Sequence, residues 1–424
     1  MTRTRVWVGL GLSWWLAACS GDDHAPPLPQ ARPLPECPAA NYSTCDVRKA
    51  PCQEQLLALA GGVYGVQTTP QVPVRVVTEQ QLIDDLNAKP ADEATDEASA
   101  DEADDLPHIE RTFVDLKLLA PGALTEGGGS TAQIVDNIDG VYQDSERGIA
   151  LVDRGVPKNT IEADALLVHE FVHAIQDAEI DLDAWRMQYP PSIDTVLALR
   201  TVSEGQATYA QFRTLLAMSG RDVARIDWPR TLDSFRDEVL GDAFTADSPY
   251  LASVTTFPYA YGALSAYAAW GDHQAQFDAP PQTTLEVLSL DAGRAVVPTQ
   301  PLDVDAPTPG AEYRLVDGDT LGAFQLELSA RKLGADETDA LDLALAWRGD
   351  ALWIYAGPDD KTVWLWMVEL AGSQYAHALA ALAPGAPGFE ATASGKRVVL
   401  VGGDERPDWV NDASLPFLMS EPAP

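Results

Sequence analysis

The chain has 424 residues, 46% of them hydrophobic, with 28 basic against 64 acidic side chains and a formal charge of −36. Such length and apolar content exclude a wholly disordered protein and allow one large core or two domains. So negative a field repels phosphate backbones and anionic headgroups, which argues against nucleic acid as a partner.

Residues 1–19 read MTRTRVWVGLGLSWWLAAC. Arg3 and Arg5 open a basic start, and the apolar stretch after them is too short to span a bilayer. Its end, Leu16-Ala17-Ala18-Cys19, resembles the lipobox of bacterial lipoproteins. The resemblance implies removal of a signal peptide (1–18), acylation of Cys19, and a body at the cell envelope that meets the membrane through its lipid anchor only. That body would face the periplasm or the outside. Ser20 stands where a retention Asp would sit, which by analogy favours the outer membrane. An oxidising compartment predicts one disulfide among Cys37, Cys45 and Cys52, with the pairing left open.

Residues 19–50, rich in Pro, Asp and Ala, read as a tether. A helix over 53–59 is expected to stop at Gly61-Gly62. Stretch 72–77 reads as a strand, and Pro73 favours an edge position. A short helix over 78–86 follows, and then an acidic run, 92–105, that reads as a solvated, self-repelling loop. Val135, Ile138, Val141 and Tyr142, a turn at 144–148 and a strand over 149–152 together predict a hairpin. Asn159-Thr160-Ile161-Glu162 carries a capping-box pattern, so a helix starts there. Another helix is expected over 192–218. The Pro-rich segment 301–309 marks a boundary. Beyond it the pattern predicts helices over 319–333 and 375–382. Strands are expected over 341–347, 351–355, 363–369, 389–393 and 396–401.

The capped helix contains His169-Glu170-Phe171-Val172-His173. Two His four residues apart share one helix face and can grip one Zn2+ ion. Glu170 points to a neighbouring sector, where it can act as general base toward an attacking water. Ala165, Leu166, Leu167, Val168, Phe171, Val172, Ala174 and Ile175 make the helix apolar nearly all round, hence buried. Buried imidazoles and a carboxylate need partners to offset desolvation. The expected third ligand is Glu204, in Ser203-Glu204-Gly205-Gln206-Ala207, with Gly205 and Ala207 letting its helix approach the first. Tyr259, Tyr261 and His273 are candidate oxyanion donors. Asp177 is expected either to orient His173 or to cap the helix end.

At these residues the chain resembles the zincin metallopeptidases of the gluzincin type, which pair H-E-x-x-H on one helix with a Glu on the next. The resemblance implies an α+β, zincin-like catalytic domain over 51–300 and a C-terminal α+β subdomain over 301–424. In thermolysin-like members an Asp follows the ligand Glu by four; here Thr208 stands there, so the shell around the ligands must be built differently. A closer resemblance is to a group of exported bacterial and archaeal predicted metallopeptidases. Matching pieces are Gly140-Val141-Tyr142, Phe257-Pro258-Tyr259, Pro280-Pro281-Gln282-Thr283 and Trp347-Arg348-Gly349-Asp350. In zincins the strand before the metal helix often lines the cleft and pairs with an extended substrate; 149–152 fits that place.

The expected function is zinc-dependent hydrolysis of a peptide or protein substrate. His169, His173 and Glu204 would hold one Zn2+, with Glu170 as base. The alternative is an envelope lipoprotein with a binding or scaffolding role and a structural or relic metal site. A third reading keeps the hydrolase and changes the bond to an amide or ester outside proteins.

Overall fold

The computed structural model describes residues 37–87, 98–125, 139–155, 159–297, 299, 302, 304–383 and 388–410. Residues 1–36, which hold the expected signal peptide and Cys19, lie outside the described residues. Among those described, no helix is long and apolar enough to cross a membrane.

The expected tether is shorter than 19–50. Cys37, Ala39 and Val47 are buried in one hydrophobic cluster with Leu56, Leu167, Phe171, Phe212 and Trp228. Cys45 and Cys52 are bonded, with Cα atoms 5.7 Å apart, and Cys37 is a free buried thiol. Helix α1, Ala50–Tyr64, runs through the Gly pair expected to stop it and ends against Gly65, whose φ is 96°. A Cβ on Gly61 would lie 2.6 Å from Thr69 Cγ2, and one on Gly62 would lie 3.1 Å from Pro38 Cγ. Close packing, not chain reversal, therefore explains that pair.

Strand β1, Val74–Val77, is followed by α2, Glu79–Asn87, and α3, Ala98–Asp115. The expected acidic loop is thus helical over 98–105; 92–97 lies outside the described residues. The C-terminal end of α3 is held by Trp364 Nε1 donating to Asp115. β2, Gly140–Gln143, and β3, Gly148–Val152, form the expected hairpin, with Arg147 left-handed at φ 50°. Val135 and Ile138 lie outside the described residues. The sheet order is β1-β3-β2, with β1 parallel to β3 and β2 antiparallel to it. Pro73 thus borders an edge strand, as expected. β3 is central and paired on both sides, so it has no free edge for the strand pairing expected of it; the edges are β1 and β2.

Four longer helices follow in chain order with short ones between them: α4, Ile161–Ile180; α5, Leu182–Arg186; α6, Ile193–Met218; α7, Trp228–Thr245; α8, Pro249–Ala269; α9, His273–Asp278; and α10, Thr284–Asp291. Thr160 caps α4 by accepting from Ala163 N, and Ser192 caps α6 by accepting from Thr195 N. The remainder builds an antiparallel sheet in the order β4-β5-β6-β8-β7. Its strands are β4, Arg314–Asp319; β5, Trp347–Ala356; β6, Thr362–Leu370; β7, Phe389–Ser394; and β8, Arg397–Gly403. Helices α11, Gly322–Lys332; α12, Glu337–Ala346; and α13, Ser373–Leu382, pack with it. The strand expected over 341–347 is mostly α12. Asp336 caps that helix, and the alternating Leu341, Leu343 and Leu345 sit on its turns.

One hydrophobic cluster crosses the 301–309 boundary, joining Phe113, Leu197, Phe257 and Leu285 to Phe324, Trp347 and Trp366. Asp350 of the Trp347-Arg348-Gly349-Asp350 segment fastens β5 to β6 and to the start of α11. Its buried carboxylate accepts from Leu321 N, Gly322 N, Trp347 Nε1 and Trp366 Nε1, at 2.8–2.9 Å. Asp194 in the first turn of α6 accepts from Thr284 N at 2.8 Å, which ties α6 to α10.

Candidate metal centre

His169 and His173 lie one turn apart on α4, and both are buried. Their Nε2 atoms are 3.0 Å apart. Glu204 of α6 brings Oε2 to 3.4 Å from His169 Nε2 and 3.2 Å from His173 Nε2. Three donors held 2.0–2.1 Å from a tetrahedral centre would be about 3.3 Å apart. This triangle has that size. Glu204 Oε2 is buried, and the polar atoms it faces are the two imidazole nitrogens. Its chemistry and that of the two imidazoles suit a zinc ion. The residues present therefore fit the group.

The orientation of His173 is fixed by a side chain that sequence reasoning missed. Gln176 Nε2 donates to Ser203 O and to Gln206 Oε1, each at 3.1 Å. Its Oε1 therefore faces His173 Nδ1, 3.0 Å away, and accepts from it. That assignment leaves Nε2 toward Glu204. The chain continues to Tyr64, whose hydroxyl donates to Gln206 Oε1 at 2.6 Å. The signal was present: Gln176 lies three residues after His173, on the same helix face.

Asp177 takes the second of its two expected roles. It accepts from Leu182 N at 3.0 Å and from Tyr142 Oη at 2.8 Å, which closes the helix end onto β2. Thr208 is buried, and its hydroxyl has no hydrogen-bond partner, so it supports no ligand. Arg200, one turn before Glu204, stands in the place left open. Its NH2 is 3.4 Å from Glu204 Oε1, and its NH1 donates to Val254 O of α8 at 2.9 Å.

The close approach at Gly205 is to α8, where the sequence reading expected α4. A Cβ on Gly205 would lie 2.3 Å from Gly262 C and O, and one on Gly262 would lie 2.3 Å from Thr201 O. This crossing sets Tyr259, one turn before Gly262, against His169, with ring centroids 5.9 Å apart and planes within 19°. Tyr261 points the other way, packing on Phe257 and Phe324 in the core that reaches the C-terminal sheet. His273 stacks on Tyr64 at 4.1 Å and packs edge-on against Trp270, behind the glutamine chain. Of the three candidate oxyanion donors, the fold brings only Tyr259 against a ligand imidazole.

Glu170 is buried, and its Oε2 accepts from Tyr142 N of β2 at 2.8 Å. A Cβ on Gly140 would fall 3.1 Å from Leu151 Cδ2 on the neighbouring strand, so Gly140 lets β2 and β3 pack closely there.

The charges interlock. Burial opposes the positive charge of His173, but the Glu204 carboxylate outweighs it and pushes the imidazole up to about 9. Burial would raise Glu204, yet His173, His169 and Arg200 hold it well below the usual carboxylate range. Burial, reinforced by Glu204 and opposed by Arg200, drives Tyr259 well above its ordinary value. Tyr259 is thus a protonated donor at neutral pH.

The chain matches no protein-family model, no curated protein and no solved structure.

Proposed function

We propose that this protein is a zinc-dependent peptidase of the zincin type, with His169, His173 and Glu204 holding the ion. The observation that carries this reading is the ligand triangle, set beside a separate buried carboxylate, Glu170. A zinc ion there would polarise a carbonyl and lower the pKa of water. Glu170 takes the proton of the water that adds to the peptide carbonyl and later returns it to the leaving amine. Tyr142 N holds that carboxylate in place, and Tyr259 donates to the developing oxyanion. Gln176 and Arg200 keep His173 and Glu204 from turning away. β2, at the edge of its sheet, lies along the side from which Glu170 is held and offers main-chain groups to an extended substrate.

A scaffolding role with a structural metal would call for a fourth protein ligand. Among the described residues, the cluster of His, Cys, Asp and Glu ligand atoms holds three side chains, which supports an open, catalytic site. Lipid anchoring at Cys19 belongs to the same proposal, and mass analysis of the mature N-terminus tests it. For the activity, purified protein is expected to carry about one zinc per chain. Glu170→Gln is expected to retain that zinc and lose about 10²-fold or more of peptidase turnover. Wild-type activity in Glu170→Gln would overturn the mechanism. Turnover of small amides or esters but no peptides would change the bond.

A further inference from the structure

A second cluster sits at the other end of the metal helix. Asp164, in the first turns of α4, is fully buried. Its carboxyl oxygen and the sulfurs of Cys45 and Cys52 all lie within 4.8 Å of one another. Oδ2 accepts from Cys45 N at 3.4 Å, whereas Oδ1 is buried with no partner. An orphaned carboxyl oxygen in a core is expensive, and a native protein retains one for a reason. The disulfide offers Oδ1 no proton. Two thiols would.

We propose that Cys45–Cys52 is a reversible redox centre that exchanges with a dithiol partner, and that Asp164 is its proton donor and acceptor. Cys45 is half-buried and Cys52 is buried, so an incoming thiolate meets Cys45 first. It forms a mixed disulfide with Cys45 Sγ and expels Cys52 Sγ as a thiolate. The Asp164 carboxyl gives that thiolate its proton. The second thiol of the reductant then attacks its own sulfur in the mixed disulfide and releases Cys45, which is protonated in turn. The dithiol becomes a disulfide. Two electrons and two protons pass to Cys45 and Cys52, and Asp164 regains its proton from solvent. In the reduced protein the Asp164 carboxyl has two S–H donors within 4.8 Å that the disulfide does not offer. Burial raises the Asp164 carboxyl to about 7, where it can act in either direction.

This inference does not rest on the peptidase reading, and its test uses no peptidase activity. Intact folded protein is incubated with dithiothreitol between pH 5.5 and 8.5, and free thiols are trapped and counted by mass. A small linear disulfide run in parallel corrects for ionisation of the reagent. Reduction is expected without unfolding, and the corrected rate of wild type should bend near neutral pH. Asp164→Asn is expected to react at least about tenfold more slowly and to lose the bend. Asp164→Glu, which restores a carboxyl, should recover part of the rate. Circular dichroism reports whether each variant is folded. If an Asp164 variant fails to fold, the wild-type pH profile decides alone. A disulfide that resists reduction until the protein unfolds would overturn the proposal, as would a corrected rate flat with pH.

Discussion

Gly205 and Gly262 meet backbone to backbone: a methyl group on Gly205 would lie 2.3 Å from the Gly262 carbonyl. That contact sets the depth at which α6 and α8 cross. It therefore places Glu204, the neighbour of Gly205, and Tyr259, one turn before Gly262. Gly205→Ala or Gly262→Ala must spread two helices whose opposing atoms are main chain and cannot swing aside. Each is expected to lower stability by about 3 kcal/mol or more, read by denaturant unfolding. Zinc content should fall in parallel. Ala217→Gly, farther along α6, would lose about 2 kcal/mol through helix propensity and one buried methyl, and keep its zinc.

The shell around the ligands gives a second prediction. Gln176 is the acceptor that holds His173, and Arg200 grips the outer oxygen of Glu204. Such outer partners typically contribute 10- to 100-fold in metal affinity. Gln176→Ala and Arg200→Met are each expected to weaken zinc binding by about that factor while leaving the helices intact, measured by competition with a chromophoric chelator. Thr208→Ala removes a hydroxyl with no partner and should leave affinity unchanged.

Much of this site was legible along the chain, because its parts are local. Thr160 and Ser192 mark two helix starts by side-chain capping, and a four-residue spacing fixes the two imidazoles on one face. What sequence could not supply were choices among equivalent neighbours. Gln176 and Asp177 both follow His173 at helix-contact spacing; the longer amide reaches Nδ1, while Tyr142 and Leu182 N claim the carboxylate. Tyr259 and Tyr261 are two residues apart and so face opposite cores. Gly205 signalled a close approach but not its partner, which is 57 positions away at Gly262. The alternation at Leu341, Leu343 and Leu345 fitted a strand, and the Asp336 cap and sheet packing decided for a helix.

The junction between the two halves predicts an unusual pH dependence. Burial lifts Asp194 and Asp319 to about 7 each. Between about pH 4 and 7 the folded protein keeps protons that the unfolded chain has released. Their contribution is complete below the ordinary Asp value and is lost as pH rises through about 7. Asp194→Asn keeps an oxygen for Thr284 N and removes the titration. Relative to this variant, wild type should lose about 1 kcal/mol or more between pH 5 and 7.5, read by urea unfolding. A constant difference across that range would show that Asp194 does not titrate there.

Removal of the metal should leave a folded protein whose reloading depends on protons. α4 and α6 are held by their caps and by the hydrophobic cluster they share, not by the site itself. Chelation is therefore expected to lower the melting temperature only by the linkage term, RT ln(1 + [Zn]/Kd), without loss of helical circular dichroism. Reloading requires the Nε2 proton of His173 to leave. That imidazole is held up to about 9 by Glu204, so apparent affinity should fall about tenfold for each unit of pH below that value. Glu204→Gln removes both a ligand and the charge that retains the proton. Its residual binding should be far weaker, and its pH dependence should move toward that of an ordinary imidazole. Isothermal titration at several pH values in buffers of different ionisation enthalpy counts the released protons directly. Zinc uptake with no proton release near pH 7 would contradict the paired state of His173 and Glu204.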